Sequence, residues 1–296
     1  MMIDGFSPTG KHMSLPIRSS FFRQHMSNSG TIDFFYTNVD QVFVRKTVSS
    51  TSPELNMMLL LARISTQGFV RLVMYTRTDT MVEMYFPFNT GGDLFDEFND
   101  YTSGGTSKYK IHQFQSRAIQ IMIDVATSVK VLHDTLDIVH RDLKMENIFL
   151  NSDGSVCIGD FGFACTTNGY QQLTVVGTRA YLSPEMNPGE PYTNPKAADI
   201  YALAVMLFVM LVGHFPPWQY DDNGITFGQQ SGLSTYYGPR DIKEYTDIYK
   251  RLPTPFIAFL TKMLASTPLE RPNITIFLQD LTMLQNVQNV RKRLIF

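Results

Sequence analysis

The sequence contains little cysteine, little tryptophan and almost no net charge. Its 296 residues include two cysteines and one tryptophan, and 25 basic against 27 acidic side chains give a net charge of −2. Cys157 and Cys165 lie eight positions apart without a CxxC pair or a matched histidine. We therefore predict that both cysteines are reduced, as is usual in a cytosolic type of compartment. The near-neutral balance gives no electrostatic reason to expect nucleic acid or an anionic membrane as the main partner.

Long apolar runs are also missing. The longest extends from Ala202 to Val212, which is shorter than the roughly 20 residues of a membrane-spanning helix and is typical of a buried helix. The stretch MMIDGFSPTGKHMSL lacks the continuous apolar region of a secretory signal. We therefore expect a cytoplasmic or nuclear protein without a transmembrane segment.

The residue pattern changes near PFNTGG, residues 87–92, where proline and glycine favour a loop. Before it, TIDFFYTN and QVFVRKTV are rich in β-branched and aromatic residues and predict strands. SPELNMMLLLARI predicts a helix with Ser52 as its N-cap and Pro53 at its first position. After the loop, apolar residues at helical spacing predict helices over 111–133, 197–212, 254–264 and 273–284.

We predict from this pattern an α+β fold with two lobes. The strand-rich N-terminal lobe is expected at residues 25–88 and the helical C-terminal lobe at 89–284. Residues 1–24 and 285–296 are expected to be terminal extensions.

A dense group of polar side chains lies between two apolar segments in DIVHRDLKMENIFL, residues 137–150. Burial of such groups is costly unless each has a partner. Asp142 and Asn147 supply oxygen atoms, Lys144 supplies a positive charge, and Asp160 follows in CIGDFGFA. A few oxygen ligands suit Mg²⁺ that is bound together with substrate phosphates. Phosphoryl transfer needs the same groups: a carboxylate that orients a hydroxyl, metal ligands, and cations that neutralise phosphate charge.

The motifs HRDLKMEN, DFG and GTRAYLSPE, in this order, resemble those of the eukaryotic protein kinase family. The resemblance extends from about residue 25 to 280 and implies the two-lobed protein kinase fold, with ATP and Mg²⁺ as cofactors. It implies that Asp142 is the catalytic base and Lys144 a cation near the transferred phosphate. It also implies that Asn147 and Asp160 are Mg²⁺ ligands.

Two supporting contacts follow from the same resemblance. Asp199 matches the residue that supports the backbone of the catalytic loop in the family. Arg271 matches the arginine that pairs with the glutamate of the APE motif, which is Glu185 in the SPE of this chain.

The N-terminal half follows the family pattern less closely. FVRK resembles the strand whose lysine binds the α- and β-phosphates, which implies this role for Lys46, and strand alternation places Arg45 on the opposite face. Glu54 is the only acid in the helix that follows. Either Glu54 is the ion-pair partner of Lys46, or it responds only to the dipole of the helix whose first turn it occupies.

The stretch NSGTIDFF, residues 28–35, retains one of the three glycines of the phosphate-binding loop. Gly30 is that glycine, and Asn28 and Asp33 occupy the other two positions. Asp33 beside phosphates would repel them. The stretch is therefore either a degenerate nucleotide loop or an ordinary hairpin without a phosphate role.

VEMYFPFNTGGDLF resembles the adenine-binding hinge of the family, but the register of the hinge is open. The resemblance implies that backbone groups from Met84 to Pro87 meet the adenine. It also implies that Asp93 reaches ribose or substrate, although Asp93 could equally cap a helix.

The sequence therefore predicts a protein kinase that transfers the ATP γ-phosphate to Ser/Thr hydroxyls of protein substrates. The lysine two positions after the base in DLKMEN is typical of serine/threonine kinases, whereas tyrosine kinases usually carry an AARN-type loop. One alternative is a pseudokinase that acts as a scaffold or allosteric partner, which the degenerate NSGTIDFF favours. Another is a small-molecule kinase, against which the peptide-docking segment GTRAYLSPE argues.

Substrate choice and regulation have candidate residues too. Acidic side chains that could contact basic residues before the target hydroxyl predict a basophilic preference; they are Glu146, Asp93, Asp221 and Asp222. Thr174 occupies a position that is phosphorylated in many kinases, and Arg141 would be the partner of its phosphate.

Overall fold

The computed structural model describes residues 2–27, 30–37, 41–64, 67–103, 108–167, 176–186, 194–213, 215–216 and 252–294. The chain divides into two compact units. The strand-rich unit contains Met1–Gly92 and Phe149–Cys165, and the helical unit contains Asp93–Ile148 and Thr166–Phe296. The predicted α+β class is confirmed by the elements of the two units.

Six antiparallel strands of the strand-rich unit form a closed barrel in the order β1-β2-β3-β4-β6-β5. They are β1 (Met2–Phe6), β2 (His12–Ser27), β3 (Gly30–Thr37), β4 (Val42–Ser49), β5 (Met74–Arg77) and β6 (Met81–Pro87). Strand β1 pairs with β2 on one side and reaches β5 on the other, where Phe6 lies opposite Tyr75. Residues that precede position 25, which we expected to be an extension, thus lie in this barrel.

One short helix and several short strands lie outside the barrel. Helix α1 (Glu54–Leu61) begins one residue later than expected, because Pro53 occupies the N-cap position. The Ser52 hydroxyl still accepts the Glu54 N–H at 3.3 Å. The remaining strands are β7 (Ile138–Val139), β8 (Ile148–Leu150), β9 (Val156–Ile158) and β10 (Cys165–Thr166), of which β8 pairs with β9.

Four of the helices described in the helical unit lie where apolar spacing predicts them, whereas the helix Leu94–Ser103 was not predicted. The last helix extends to Leu294, into residues that we expected to be a terminal extension. The described helices are α2 (Leu94–Ser103), α3 (Lys108–Lys130), α4 (Pro195–Val212), α5 (Thr254–Met263) and α6 (Ile274–Leu294). Helix α3 continues into a π-helical turn at Val131–Thr135. Within the part of the chain that the structure describes, 3₁₀ turns lie at Met145–Asn147, Arg179–Tyr181 and Pro268–Glu270.

Helix α4 is the core of the helical unit. The Asn194 side chain caps it by accepting the Ala197 N–H at 3.2 Å, and the helix ends at Gly213, whose φ of 95° favours glycine. Among the described residues it is the one helix long and apolar enough to span a membrane, but 89% of that window is buried inside the protein. Such burial is typical of a core helix, as the apolar run predicts.

Closure of the barrel depends on a glycine in β1. A Cβ atom at Gly5 would lie 2.6 Å from the Tyr75 carbonyl oxygen, so only a residue without a side chain lets β1 approach β5. We expect Gly5→Val to separate these strands and to lower the free energy of unfolding by about 1–3 kcal/mol. Denaturant unfolding measures this change.

The matched control is Met2→Ala in the same strand, because the Met2 side chain is 54% exposed. We expect the control to change the unfolding free energy by less than about 0.5 kcal/mol. Equal stability of Gly5→Val and the wild type would contradict this account of barrel closure.

Candidate active site

A buried ion pair lies in the strand-rich unit beside β4. The Lys46 ammonium donates to Glu54 Oε1 at 2.7 Å and to Asp160 Oδ1 at 2.8 Å. The side chains of Lys46 and Glu54 are 7% and 2% exposed. Burial raises the pKa of Glu54 above its ordinary value, and the Lys46 charge offsets only part of this effect. The structure thus brings together three residues that the sequence could not place in one cluster.

The backbone at Asp160 has an uncommon conformation. Its φ is 55°, in a region that residues other than glycine seldom adopt outside functional sites. The next residue, Phe161, is fully buried and contacts Phe69 edge to face at 6.0 Å. Packing of this ring keeps Asp160 next to Lys46 although the local backbone is strained.

A second charged network involves the neighbouring strand residue Arg45. Its guanidinium donates to Asp33 Oδ2 at 2.8 Å and to Glu83 Oε1 at 3.3 Å, and the Tyr85 hydroxyl donates to Glu83 at 2.6 Å. Burial lowers the pKa of Arg45, but the bond to Asp33 and the Glu83 charge outweigh it, so the pKa is raised. Asp33 pairs with Arg45 across the sheet. Because side chains alternate along β4, Asp33 lies on the face opposite Lys46.

Gly30 and Met84 have definite positions in the barrel. A Cβ atom at Gly30 would lie 2.2 Å from the Thr47 carbonyl oxygen, so this glycine permits close approach of β3 and β4. Met84 lies opposite Lys46 in the sheet and is fully buried. Asn28 lies outside the described residues.

The register of β6 indicates which backbone groups are directed away from β4. The Phe88 N–H donates to the Val42 carbonyl at 3.0 Å, in the same register that pairs Met84 with Lys46. Backbone groups of successive strand residues point to opposite edges. Alternation therefore directs the Pro87 carbonyl toward the other edge of β6, where the pairing with β5 extends only to Tyr85. Asn89 lies beyond the end of β6, and its carbonyl accepts the Gly92 N–H at 3.1 Å.

The helical unit contains the catalytic-loop residues. Asp142 Oδ1 accepts the Thr178 N–H at 2.8 Å and the Thr178 hydroxyl at 2.9 Å. The Lys144 ammonium lies 3.1 Å from Asp142 Oδ2 and donates to the Thr178 hydroxyl at 2.8 Å. These contacts fix one carboxylate oxygen and place a cation beside the other.

Asn147 is oriented by the same aspartate. Its amide nitrogen donates to the Asp142 carbonyl at 2.8 Å and lies 3.3 Å from Asp142 Oδ2. With the NH₂ group turned to Asp142, the amide oxygen faces away and has the chemistry of a magnesium ligand. Each of the two predicted ligands, taken within its own unit, has the chemistry that Mg²⁺ prefers: an amide oxygen at Asn147 and a carboxylate at Asp160.

The backbone before Asp142 is held by a buried carboxylate from α4. Asp199 accepts the His140 N–H at 2.8 Å and the Arg141 N–H at 2.9 Å, and His133 Nε2 lies 2.9 Å away. Burial raises the pKa of Asp199, but the contacts with His133 and the backbone outweigh it and the pKa is lowered. The supporting role that the resemblance implies for Asp199 is thus confirmed.

The predicted pair of Arg271 and Glu185 is confirmed as well. The two nitrogens of the guanidinium reach the two carboxylate oxygens at 2.7 and 2.5 Å, in the bidentate geometry that arginine favours. Arg271 also donates to the Ala197 carbonyl at the start of α4 at 3.0 Å and lies over the Tyr201 ring. The arginine therefore connects the SPE motif to the core helix.

The remaining predicted residues have mixed outcomes. Asp93 Oδ1 accepts the Asp96 N–H at 2.9 Å, so this carboxylate caps α2. Glu146 lies near Tyr181; burial is the main reason why the pKa of Tyr181 is raised, and the Glu146 charge adds to it. Thr174, Asp221 and Asp222 lie outside the described residues.

Some residues of the site were missed in the sequence. His133 follows Leu132 in the π-helical turn that continues α3, and a buried histidine within an apolar helical pattern is a usable signal. Asn89 donates to Cys157 Sγ at 2.9 Å. No local pattern marks that contact, because its partners are distant in the sequence.

Comparison with known proteins identifies the family. Residues 38–282 match the protein kinase domain. This match covers well over half of the chain, so the chain belongs to the protein kinase domain family and the predicted resemblance is confirmed.

Individual relatives are serine/threonine kinases by name. The chain is 42% identical to testis-specific serine/threonine-protein kinase 2 of Mus musculus over 34% of this chain and 28% of the relative. It is 33% identical to testis-specific serine/threonine-protein kinase 1 of Mus musculus, over 56% and 44%. It is 34% identical to the serine/threonine-protein kinase H1 homolog of Danio rerio, over 53% and 36%. The matches thus span less than half the length of each of these relatives.

The charge on Asp199 should stabilise the fold in a pH-dependent way. Asp199→Asn replaces one carboxylate oxygen by an NH₂ group, which cannot accept a hydrogen bond from the backbone N–H groups of His140 and Arg141. We therefore expect the free energy of unfolding to fall by about 1.5–3 kcal/mol at pH 7. The folded-state pKa is lowered, so the stabilisation is present above the ordinary aspartate pKa and is lost as the pH falls through the folded-state value. The variant should therefore lose less stability than the wild type on acidification.

Denaturant unfolding at several pH values measures both effects. Asp280→Asn is the control, because Asp280 forms a surface pair with Lys262 at 2.9 Å that should contribute less than about 1 kcal/mol. If the free energy of unfolding of the wild type and of Asp199→Asn fell equally on acidification, the charge on Asp199 would not be the source of the stabilisation.

Proposed function

We propose that this protein is a serine/threonine protein kinase that transfers the γ-phosphate of ATP to hydroxyl groups of protein substrates. The observation that carries the proposal is the arrangement around Asp142, with Thr178 on one carboxylate oxygen and Lys144 beside the other. Membership of the protein kinase domain family supports the reaction class, and the names of the relatives support the hydroxyl class.

The chemistry follows from the positions of these side chains. Asp142 orients the substrate hydroxyl and accepts its proton as a new bond forms between that oxygen and the γ-phosphorus. The bond from the γ-phosphorus to the bridging oxygen breaks, and ADP is the leaving group. Lys144 stabilises the negative charge that spreads over the transferred phosphoryl group.

Nucleotide binding is assigned to the strand-rich unit. Lys46, held by Glu54, would bind the α- and β-phosphates, and Gly30 would border them on β3. The Pro87 carbonyl and the Asn89 N–H would meet the adenine. Met84 then contributes a buried side chain instead of a backbone contact.

Asn147 and Asp160 would hold Mg²⁺. When bound, the cation neutralises the charge of the phosphate oxygens. The chain's own contribution is to present two oxygen ligands, one oriented by Asp142 and one by Lys46.

A pseudokinase is the alternative that the glycine-poor loop favours. Two contacts support catalysis instead: Lys46 is paired with Glu54, and Asp33 is neutralised by Arg45 on the opposite face of the sheet. The objection that Asp33 would repel phosphates therefore loses its basis. The cytoplasmic or nuclear location remains a prediction of the sequence.

Replacement of the base tests the function directly. Asp142→Asn retains an oxygen that can accept the Thr178 N–H but loses the proton acceptor, so we expect kcat to fall by about 10²-fold or more. Affinity for Mg²⁺-ATP should change little. Steady-state phosphorylation kinetics and a nucleotide titration separate the two effects.

Asp79→Asn is the matched control, because Asp79 is an exposed carboxylate in a turn. Its kcat should equal that of the wild type. Phosphate transfer by Asp142→Asn at the wild-type rate would exclude Asp142 as the base.

Substrate preference is proposed to be basophilic. Glu146 is a partly buried carboxylate in the catalytic-loop turn Met145–Asn147, so a guanidinium from a substrate would form a charge-assisted contact with it. Asp93 has a weaker claim, because its carboxylate already caps α2.

A positional peptide library with fixed Ser or Thr measures this preference. We expect enrichment of Arg or Lys two or three positions before the hydroxyl, reduced by about three- to tenfold in Glu146→Gln because one charged contact is lost. Asp93→Asn preserves the cap and tests the second acid. A preference for Pro after the hydroxyl, or for acidic residues around it, would rule out the basophilic hypothesis.

A further inference from the structure

The chain after β6 is fastened to the β8–β9 hairpin by backbone hydrogen bonds. The Gly91 N–H donates to the Leu150 carbonyl at 3.1 Å, and the Leu150 N–H donates to the Gly92 carbonyl at 2.9 Å. A Cβ atom at Gly91 would lie 2.6 Å from the Leu150 oxygen, so glycine permits this close approach. The segment 89–92 is therefore fixed at its far end.

The near end of the segment is fixed by the Asn89 carbonyl, which accepts the Gly92 N–H at 3.1 Å, and by the Asn89 side chain. Asn89 Nδ2 donates to Cys157 Sγ at 2.9 Å and makes a longer contact of 3.4 Å with Asn151 Oδ1. Cys157 is 6% exposed, and burial raises its pKa to about 11, so its sulfur is a neutral thiol near pH 7. A neutral sulfur is a weak acceptor, but here it is buried and faces a donor directly.

This contact lies at a functional position. The Phe88 N–H is bonded to Val42 and the Asn89 carbonyl accepts the Gly92 N–H at 3.1 Å, so the Asn89 N–H is the backbone group that we assign to the open edge of β6. Rotation of the Asn89 backbone would displace its Cβ atom and break the bond between its side-chain amide and Cys157 in β9. The orientation of the Asn89 N–H is thus coupled to the contact with Cys157.

We propose that Asn89 is a positioning residue for the nucleotide: its side-chain amide, bonded to Cys157, orients the Asn89 peptide group that binds the adenine base. This proposal rests on the ATP-dependent function proposed above. It assigns a role to two residues that the phosphoryl-transfer chemistry does not use. Because the contact acts on nucleotide binding alone, it affects the KM for ATP and leaves the chemical step unchanged.

A double-mutant cycle on the full chain tests the coupling. Asn89→Ala removes the donor, Cys157→Ala removes the acceptor, and Cys157→Ser retains a buried acceptor of similar size. We expect each alanine variant to raise the KM for ATP, and the Kd for ADP, by about three- to tenfold, with kcat and the KM for peptide within about twofold of wild type.

The double variant should bind the nucleotide as tightly as the more affected single variant, because each single substitution already removes the same contact. Cys157→Ser should recover most of the affinity. Asn151→Ala removes the long contact with Asn89 and the Asn151 bond to Ser155 in the hairpin turn, but leaves the bond between Asn89 and Cys157, so it should change the affinity by less than about twofold. Nucleotide titration, peptide phosphorylation kinetics and thermal unfolding are measured for all variants.

Three results would overturn the positioning role. A lower Tm with an unchanged KM for ATP in Asn89→Ala would show a merely structural contact. Independent, additive effects of Asn89→Ala and Cys157→Ala would show that Asn89 does not act through Cys157. A wild-type chain that binds no nucleotide would overturn the proposed function as well, whereas an active wild type with an unaffected Asn89→Ala overturns the positioning role alone.

Discussion

The catalytic loop depends on the hydrogen bonds that its backbone donates to the buried carboxylate of Asp199. Removal of a carboxylate from water costs several kcal/mol unless donors replace the lost hydration. Here two of the donors are the backbone N–H groups of His140 and Arg141. Since Arg141 has a φ of 70°, the chain turns sharply just before Asp142, and the carboxylate compensates for that strain. The core helix α4 thereby sets the position of the base.

In the strand-rich unit, the cost of burying a charged group is offset by ion pairs between side chains. Lys46 is almost fully buried and is therefore paired with both Glu54 and Asp160. Arg45, its neighbour, is paired with Asp33 and Glu83 on the other face of the sheet. Strand alternation separates the two networks, so that neither set of carboxylates neutralises the wrong cation. A sheet with a glycine-poor loop can thus still present one lysine on the face to which we assign the nucleotide.

Local sequence patterns predict the secondary-structure elements better than the pairing of individual side chains. Strands β3 and β4 and the long helices follow from local periodicity, because one face of each element must be apolar. The partner of Lys46 was uncertain, since Glu54 lies in the first turn of α1 and a helix dipole explains an acid there equally well. The role of residues before position 25 was not visible either. Their pairing with β5 joins segments that are about 70 residues apart.

The sequence by itself determined the family and the α+β class, and it supplied the candidates for the reactive groups, because phosphoryl transfer needs particular side chains in a short contiguous loop. The tertiary structure alone decided which charges are paired, which face of β4 each charge occupies, and where the backbone of β6 is directed. Those properties depend on strand register and on contacts such as that of Asn89 with Cys157. A shift of one residue in register would move every side chain to the opposite face, and local sequence patterns do not specify such long-range pairing.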